Sequence, residues 1–332
     1  MPEKIVTKSA FSKARKKLKH TVFVELLKKL QDHYYNNIKA KKWKGLYLKA
    51  VDGSTLRLPK NKDTEKFFGV TKDKHGNCSV MARVSQIYDC LNHITNDAVL
   101  VPYRVSENEA LAGQVNTLSP YDLLLLDRNY PSFPLFSLLR EKKVHFCARV
   151  PKNKFNKIKD FCRTGKNDEI IELSASQRKI SKFYPGEISQ KTVKVRVIKI
   201  KLSTGEDEIL LTSLLDKNKY KTSVFRDLYK QRWGVEEDFK VIKHRVEVEN
   251  FSGRSTESIL QDFFAKLFSK NLAIILSSGL NSDVEERCRA QNRKYSYKLN
   301  ITNVLSKMKN TIVKLFTREK TDEYINKFHI LI

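Results

Sequence analysis

The pattern of hydrophobic and polar positions is helical near the N-terminus of this 332-residue chain and typical of strands farther along. Apolar side chains recur at spacings of three and four from Phe11 to Leu30, which predicts an amphipathic helix with Ser9 as its N-cap. The following apolar runs are shorter and predict strands over 46–51, 80–89, 95–103, 123–126 and 144–150. The run over 123–126 is wholly apolar, as in a central strand covered on both faces.

Helical signals lie between and after these strands. A helix is predicted over 106–118, where Ser106 and Glu109 have capping-box spacing, and another over 131–140 after Pro131. Later helices are predicted over 222–244 and 256–278, and the tail beyond residue 281 is mostly helical. The order strand, strand, strand, helix, strand, helix predicts an α/β fold with a mixed sheet flanked by helices.

Residues 151–215 have a pattern of their own. Val193, Val195 and Val197 alternate with Lys194 and Arg196, which is typical of a half-buried strand. Two more strands are predicted, over 208–213 after a turn and over 170–173. We therefore expect five segments: a basic helical one (1–44), two parts of a core (45–150 and 216–280), a β-rich insertion between them (151–215) and a helical C-terminal segment (281–332).

The charge balance is strongly basic. Lys and Arg number 64 against 37 Asp and Glu, for a formal net charge of +27. Such an excess indicates a polyanionic partner, with nucleic acid as the default, an anionic membrane as the competitor and a ribosome-associated role as the plain alternative. No stretch of 18 apolar residues occurs, because polar side chains interrupt the richest run, 259–280; it predicts a buried helix, and no membrane partner is expected.

Five cysteines are scattered without a CxxC pair, so neither a zinc site nor a disulfide framework is predicted. This usage suits a reducing cytoplasm. The basic N-terminus lacks the apolar segment of a signal peptide.

Four residues in the predicted helix over 222–244 combine an acid, two cations and a phenol. Tyr229, Arg232, Glu236 and Lys243 would lie within about 60° of one another around a continuous helix axis. This mixture predicts a metal-binding carboxylate beside groups that contact phosphate. The alternative is an exposed helix face with an ion pair between Arg232 and Glu236.

Two further acids stand where strands are predicted to end, Asp52 after 46–51 and Asp127 after 123–126. Carboxylates at strand ends converge on the crevice where α/β sheets bind ligands. With Glu236 they could hold two Mg²⁺ ions, which prefer oxygen ligands. As alternatives, Asp52 is a turn residue before Gly53, and Asp127 pairs with its neighbour Arg128.

At these positions the sequence resembles the insertion-sequence-4 group of bacterial DDE transposases. The group's signature of Tyr, Arg, Glu and Lys is matched at every spacing from Tyr229 to Lys243. The blocks Val51-Asp52-Gly53-Ser54-Thr55 and Leu126-Asp127-Arg128-Asn129-Tyr130 are similar to the group's first and second acid blocks. Asn129 stands where glycine is common, which predicts a left-handed backbone there, a conformation that asparagine tolerates.

The resemblance implies a ribonuclease-H-like core with a β insertion. It implies Asp52, Asp127 and Glu236 as ligands of two Mg²⁺ ions, with Mn²⁺ as a substitute. It also implies DNA contacts, which we assign to Tyr229, Arg232, Lys240, Lys243 and Arg254.

The implied activity is cut-and-paste transposition. The protein would bind transposon ends as a homodimer on double-stranded DNA, cleave them with metal and join the 3′-hydroxyl ends to target DNA. It would act in the bacterial cytoplasm, associated with the nucleoid. The alternatives are a catalytically silent or truncated DNA-binding copy and a nuclease on the same fold.

This sequence differs from the group in two ways, and each difference predicts a change in how DNA is bound. Relatives have a DNA-binding region before the segment matching Ser9-Ala10-Phe11, near which this sequence begins, so weaker recognition of specific ends is expected. Characterised relatives also place a Trp in the insertion that stacks on a flipped base during hairpin formation. Here the two Trp residues, Trp43 and Trp233, lie outside the insertion, and Trp233 is expected in the core. The aromatic residues that could stack instead are Phe155, Phe161, Phe183 and Tyr184.

Overall fold

A computed structural model describes residues 7–174, 191–202, 204–290, 299–317 and 321–332. The strands in this part of the chain are β1 (Tyr47–Leu58), β2 (Thr71–Lys72), β3 (Cys78–Asp89), β4 (Ile94–Pro102), β5 (Asp122–Leu126), β6 (His145–Arg149), β7 (Asp168–Ser174), β8 (Thr192–Lys201) and β9 (Asp207–Thr212). The helices are α1 (Lys8–Lys17), α2 (Thr21–Asn37), α3 (Lys62–Phe68), α4 (Glu107–Gln114), α5 (Phe133–Glu141), α6 (Asn156–Arg163), α7 (Phe225–Lys230), α8 (Trp233–His244), α9 (Thr256–Ala290), α10 (Ile301–Thr317) and α11 (Thr321–Leu331).

The chain divides into two compact units. One, the helical unit, comprises Met1–Ala40, Arg57–Val80 and Lys240–Ile332. The other, the sheet unit, comprises Lys41–Leu56 and Met81–Phe239. The five segments expected from the sequence stay a prediction.

The sheet unit is built on strands in the order β4-β3-β1-β5-β6-β9-β8-β7. β5 is parallel to both β1 and β6, whereas β3 and β4 are antiparallel to each other. β1, β3 and β4 thus lie side by side, and the parallel strands β5 and β6 extend the sheet beyond β1. This is the predicted ribonuclease-H-like mixed sheet with flanking helices, and the fold class is confirmed.

The insertion adds its strands to the same sheet. β9 pairs antiparallel with β6, β8 with β9, and β7 with β8. The three strands predicted in the insertion are therefore present, and α6, which was not predicted, buries Ile158 and Phe161. Phe183 and Tyr184, predicted as stacking residues, lie outside the described residues.

The core of the sheet unit forms where apolar strands meet apolar helix faces. Leu123 to Leu126 of β5 are fully buried, as their uninterrupted apolar run predicted. Leu135, Phe136 and Leu139 of α5 belong to the same cluster, and the Phe136 ring stacks on Phe146 at 4.5 Å between centroids. At α4, the predicted capping box between Ser106 and Glu109 is formed.

In the helical unit, α9 is the central element. Ile259, Phe263 and Leu267 on one of its faces are at most 1% exposed. Thr256–Leu280 is long and apolar enough to cross a membrane by composition alone, but 56% of its most apolar window is buried within the protein. That burial agrees with the predicted core helix.

Two helix predictions need correction. The N-terminal helix is capped by Thr7, whose hydroxyl accepts from the Ala10 N–H, and not by Ser9. It also ends at Lys17, and α2 begins at Thr21, because the backbone at Leu18 is extended. The helix predicted over 222–244 is likewise interrupted, since α7 ends at Lys230 and α8 begins at Trp233.

Candidate active site

Strand register brings the first two acids together. In the parallel pair β1 and β5, Ala50 lies opposite Leu125. An equal step of two residues along each chain leads to Asp52, within β1, and to Asp127, the first residue after β5. Both acids therefore stand at the same level of neighbouring strands, which are spaced about 4.8 Å apart. The prediction that Asp52 follows the end of a strand was wrong, because β1 continues to Leu58.

Each of these carboxylates accepts a hydrogen bond from the backbone just after it. The Gly53 N–H donates to Asp52 at 2.9 Å, and the Asn129 N–H donates to Asp127 at 2.8 Å. Asn129 does not have the predicted left-handed backbone, since the described non-glycine residues with positive φ are Lys44, His93, Lys143 and Glu247. Its backbone instead restrains Asp127 through this turn, which any residue with an N–H could form.

Glu236, in the first turn of α8, lies close enough to complete a negatively charged cluster. The pKa of Asp52 is raised to about 6, mainly by burial and further by the charges of Asp127 and Glu236. The Gly53 N–H and the Arg232 guanidinium oppose this rise. Asp127 and Glu236 are therefore close enough to Asp52 to influence its ionisation.

Arg232 is the counter-charge within this cluster. Its guanidinium donates to Glu236 Oε1 at 2.6 Å, and the two side chains are 7% and 32% exposed. Burial lowers the pKa of Arg232, but the hydrogen bond to Glu236 and nearby negative charge, including Asp52, outweigh it and leave the pKa raised. The ion pair between Arg232 and Glu236, which was the alternative to a metal site, is therefore present. It lies within the cluster of three acids and is mostly shielded from solvent.

Tyr229 does not share a helix with Glu236, because Gln231 and Arg232 form a turn between α7 and α8. The single stripe predicted on one helix is therefore wrong. The Tyr229 side chain is 5% exposed, and its hydroxyl donates to the Leu126 carbonyl at 3.2 Å, one residue before Asp127. Burial raises the pKa of Tyr229 above its usual range, so the hydroxyl stays protonated and acts as a donor at neutral pH.

The aromatic residues also differ from expectation. Trp233 is 55% exposed and not in the core, and the Arg232 guanidinium lies 5.0 Å from its ring centroid. Trp43 stacks on Tyr220 at 5.8 Å. Of the predicted stacking residues, Phe161 is 1% exposed and belongs to the core, and Phe155 is half-buried against that core. Trp233 is thus the aromatic side chain that α8 offers to solvent, three residues before Glu236.

Two residues beside the acids were missed by sequence reasoning. Glu107 at the start of α4 pairs with Arg83 at 3.0 Å and packs against Gly53, where an added Cβ would lie 2.7 Å from Glu107 Oε1. Tyr130 is fully buried, and the charges of Glu107, Asp52 and Asp127 act on it. The only signal in the sequence was that Tyr130 ends the second acid block.

The remaining predicted DNA contacts belong to the helical unit. Lys243 lies on α8, seven residues after Glu236, and is half-buried. Lys240 and Arg254 are exposed, and the Arg254 carbonyl accepts a hydrogen bond from Asn61 at 2.7 Å. Their contacts with DNA stay predictions.

The acid cluster has the donor chemistry of a magnesium site. In their present positions, no three His, Cys, Asp or Glu side chains among the described residues are grouped so as to hold a metal ion. The carboxylates nevertheless fit a hard divalent cation, because they offer oxygen donors and because ionised Asp52 is disfavoured by its negative neighbours. Holding one would require Glu236 to share its carboxylate between Arg232 and the metal.

Known proteins resemble this chain over most of its length. Residues 43–272 match the family model described as the transposase DDE domain, and this range includes all three acids. The transposase InsG of insertion sequence element IS4, from Escherichia coli K12, is 25% identical over 272 residues, which cover 80% of this chain and 60% of InsG. The putative transposase InsZ from the same strain is 29% identical over 102 residues, 30% of this chain and 34% of InsZ.

A solved structure, the piggyBac transposase synaptic complex with hairpin DNA, gives a TM-score of 0.45 at 10% identity and covers 86% of this chain and 57% of that one. The chain thus spans about 60% of the length of InsG and less of InsZ.

Proposed function

The chain belongs to the insertion-sequence-4 family of DDE transposases, and from this premise we propose that it cleaves DNA at transposon ends and joins the freed 3′-hydroxyl ends to target DNA. The observation that carries the proposal is the position of Asp52 and Asp127 at one level of neighbouring parallel strands, with Glu236 within electrostatic reach. A basic protein with three clustered carboxylates is suited to divalent metal and a phosphodiester backbone together.

We assign Asp52, Asp127 and Glu236 as ligands of Mg²⁺, two ions in the complete site, with Mn²⁺ as a substitute. When bound, the ions would supply activation of a water or a 3′-hydroxyl and would stabilise the leaving oxygen of an in-line displacement. The protein's own contribution is orientation. Backbone N–H groups hold Asp52 and Asp127, and Arg232 holds Glu236.

Tyr229 and Arg232 have a positioning role in this proposal. The Tyr229 hydroxyl holds the Leu126 carbonyl at the end of β5, and Arg232 balances the charge of the cluster before metal binds. Tyr229 is 5% exposed and the Arg232 side chain is 7% exposed, which favours this role over the phosphate contact expected from the sequence.

DNA contacts are proposed for the more accessible groups. Lys240, Lys243 and Arg254 would pair with phosphates, and the exposed ring of Trp233 offers a stacking surface for a base. The partner is double-stranded DNA, on which we propose that the protein acts as a homodimer in the bacterial cytoplasm, at the nucleoid.

The proposal is tested with labelled DNA that carries the inverted repeats flanking the coding region. Protein, this DNA and Mg²⁺ are incubated, and cleavage at the repeats and joining to a target plasmid are measured. Asp52→Ala, Asp127→Ala and Glu236→Ala should each lower cleavage by at least about 10³-fold while leaving DNA affinity within about threefold, because they remove metal ligands and no phosphate contact.

Glu237→Ala is the matched control, since Glu237 is an exposed carboxylate adjacent to Glu236 on α8. It should cleave as the wild type does. Full strand transfer by any one of the three acid variants would refute the assignment. Cleavage without joining would indicate a nuclease, and end binding without cleavage would indicate a silent copy.

A further inference from the structure

Tyr130 presents a buried hydroxyl without a partner. Its side chain is fully buried, and the hydroxyl makes no hydrogen bond with any group in the described part of the chain. Burying a polar group without a hydrogen bond is unfavourable, and most buried hydroxyls in proteins are satisfied. Phenylalanine would fill the same space without this cost. We therefore expect another state of the protein in which the hydroxyl donates to an acceptor.

The surroundings of Tyr130 are rich in acceptors. Three carboxylates, those of Glu107, Asp52 and Asp127, act on its phenol electrostatically. Together with burial they raise its pKa well above the usual range, so at neutral pH the hydroxyl carries its proton and can donate. The Tyr130 N–H also donates to the Asp127 carbonyl at 3.4 Å, which places its backbone in the turn that carries this acid.

The first turn of α4 contacts both acid-bearing segments. The Glu107 carboxylate lies against Gly53, directly after Asp52, and is tied to Arg83 at 3.0 Å. The Asn108 amide donates to the Asn129 carbonyl at 3.3 Å, between Asp127 and Tyr130. The Asp52 and Asp127 carboxylates each accept one backbone N–H. Because a carboxylate can accept more than one hydrogen bond, both have lone pairs available to a further donor.

We propose that the Tyr130 hydroxyl is a positioning donor for the Asp52 and Asp127 pair, to which it donates a hydrogen bond when the two carboxylates hold a divalent cation. The proposal rests on the proposed function. Two adjacent carboxylates repel each other. A neutral donor can fix the direction of their oxygens without the positive charge by which Arg or Lys would compete with the metal ion for them. The hydroxyl is thus unsatisfied in the metal-free protein and satisfied in the loaded one.

The test uses Tyr130→Phe and a matched control, Ser137→Ala. Ser137 is also fully buried in the sheet unit, and its hydroxyl likewise makes no hydrogen bond in the described part of the chain. It lies on α5 and not in either of the two acid-bearing segments. Melting temperature is measured with EDTA and through a titration with Mg²⁺, repeated with Mn²⁺. Cleavage of end DNA is measured over the same Mg²⁺ range, and DNA affinity is measured with EDTA.

With EDTA, both variants should melt at or above the wild-type temperature, since each loses an unsatisfied buried hydroxyl. In Tyr130→Phe, the Mg²⁺ concentration for half-maximal stabilisation and for half-maximal cleavage should rise about tenfold, as is typical when a group that orients a metal ligand is lost. DNA affinity should not change. Ser137→Ala should keep the wild-type Mg²⁺ dependence.

The inference is overturned if Tyr130→Phe keeps the wild-type Mg²⁺ dependence while the wild type cleaves, and the proposed function then stands. It is also overturned if Tyr130→Phe melts well below the wild type with EDTA, because the hydroxyl then has a partner in the metal-free protein. A wild type that neither responds to Mg²⁺ nor cleaves end DNA defeats the proposed function and this inference with it.

Discussion

A carboxylate surrounded by other acids in the protein interior is costly to ionise, and Asp52 is in this position. Its pKa of about 6 lies above the ordinary value of 3.8 because burial and the charges of Asp127 and Glu236 disfavour the ionised form. The folded protein therefore binds the Asp52 proton more tightly than the unfolded chain does. This residue contributes stability fully below about pH 4, and the contribution is lost as pH rises through about 6.

Asp52→Asn should stabilise the metal-free protein at pH 7, because the amide cannot ionise. The pKa shift sets an upper limit of about 3 kcal/mol on the gain in unfolding free energy. Urea denaturation of the wild type and the variant in EDTA, from pH 4 to 7.5, measures the difference, which should grow between pH 4 and 6 and then level off.

Added Mg²⁺ should reverse the order of stability, since the wild type gains bound cation and the variant loses a ligand. If the stability difference between the wild type and Asp52→Asn did not depend on pH, the ionisation of Asp52 would not be disfavoured in the folded protein.

At the scale of single elements, β8 shows how a strand pattern can mislead. The alternation of valines with Lys194 and Arg196 predicted a half-buried strand with both basic residues on the polar face. Lys194 is exposed, but Arg196 is fully buried. Its guanidinium donates to both Asp168 oxygens, at 2.9 and 2.6 Å, and to the Tyr220 carbonyl at 2.6 Å. Arg196 thus joins β7 and β8 to the segment that leads into α7.

Arg196→Met should lower the free energy of unfolding by about 3 kcal/mol, because it leaves the Asp168 carboxylate and the Tyr220 carbonyl without their buried donor. Chemical denaturation monitored by circular dichroism measures the loss. Lys194→Met on the same strand is the control and should change stability by less than about 0.5 kcal/mol, since its side chain is exposed. Equal effects of the two substitutions would contradict the structural role of Arg196.

At the scale of the whole molecule, we expect the net charge of +27 to govern the proposed affinity for DNA more than any one contact does. Neutralising phosphates with Lys and Arg releases counterions, so the logarithm of the binding constant falls linearly with the logarithm of the salt concentration. Binding without sequence preference should therefore be strong at low salt and weaken steeply as salt is added.

Lys243→Ala should reduce the steepness of this salt dependence by about one unit, because one phosphate contact releases about 0.9 counterions. Fluorescence anisotropy with end DNA, from 50 to 300 mM KCl, measures the slope. Lys243→Arg keeps the charge and should retain the wild-type slope. An unchanged slope in Lys243→Ala would mean that this side chain does not contact the backbone of DNA.

Much of the fold followed from local patterns. The wholly apolar run at β5 predicted a central strand, the capping box at Ser106 predicted the start of α4, and the alternating valines predicted β8. These signals are carried by residues close together in the chain, so they can be recognised without knowledge of the surfaces against which the elements pack. Element ends were less predictable, as at β1, because a strand continues wherever a neighbour offers hydrogen bonds.

By itself, the sequence determined the order of elements, the charge, and the identity and family spacing of the three acids, because all of these are properties of the chain read in order. Only the tertiary structure decided how the side chains around the acids are used. Tyr229 donates to Leu126, 103 residues away, Trp233 faces solvent, and Tyr130 lies buried beside Asp52 and Asp127. Burial, hydrogen-bond partners and pKa depend on groups that are distant in sequence and meet only when strand register and helix packing are complete.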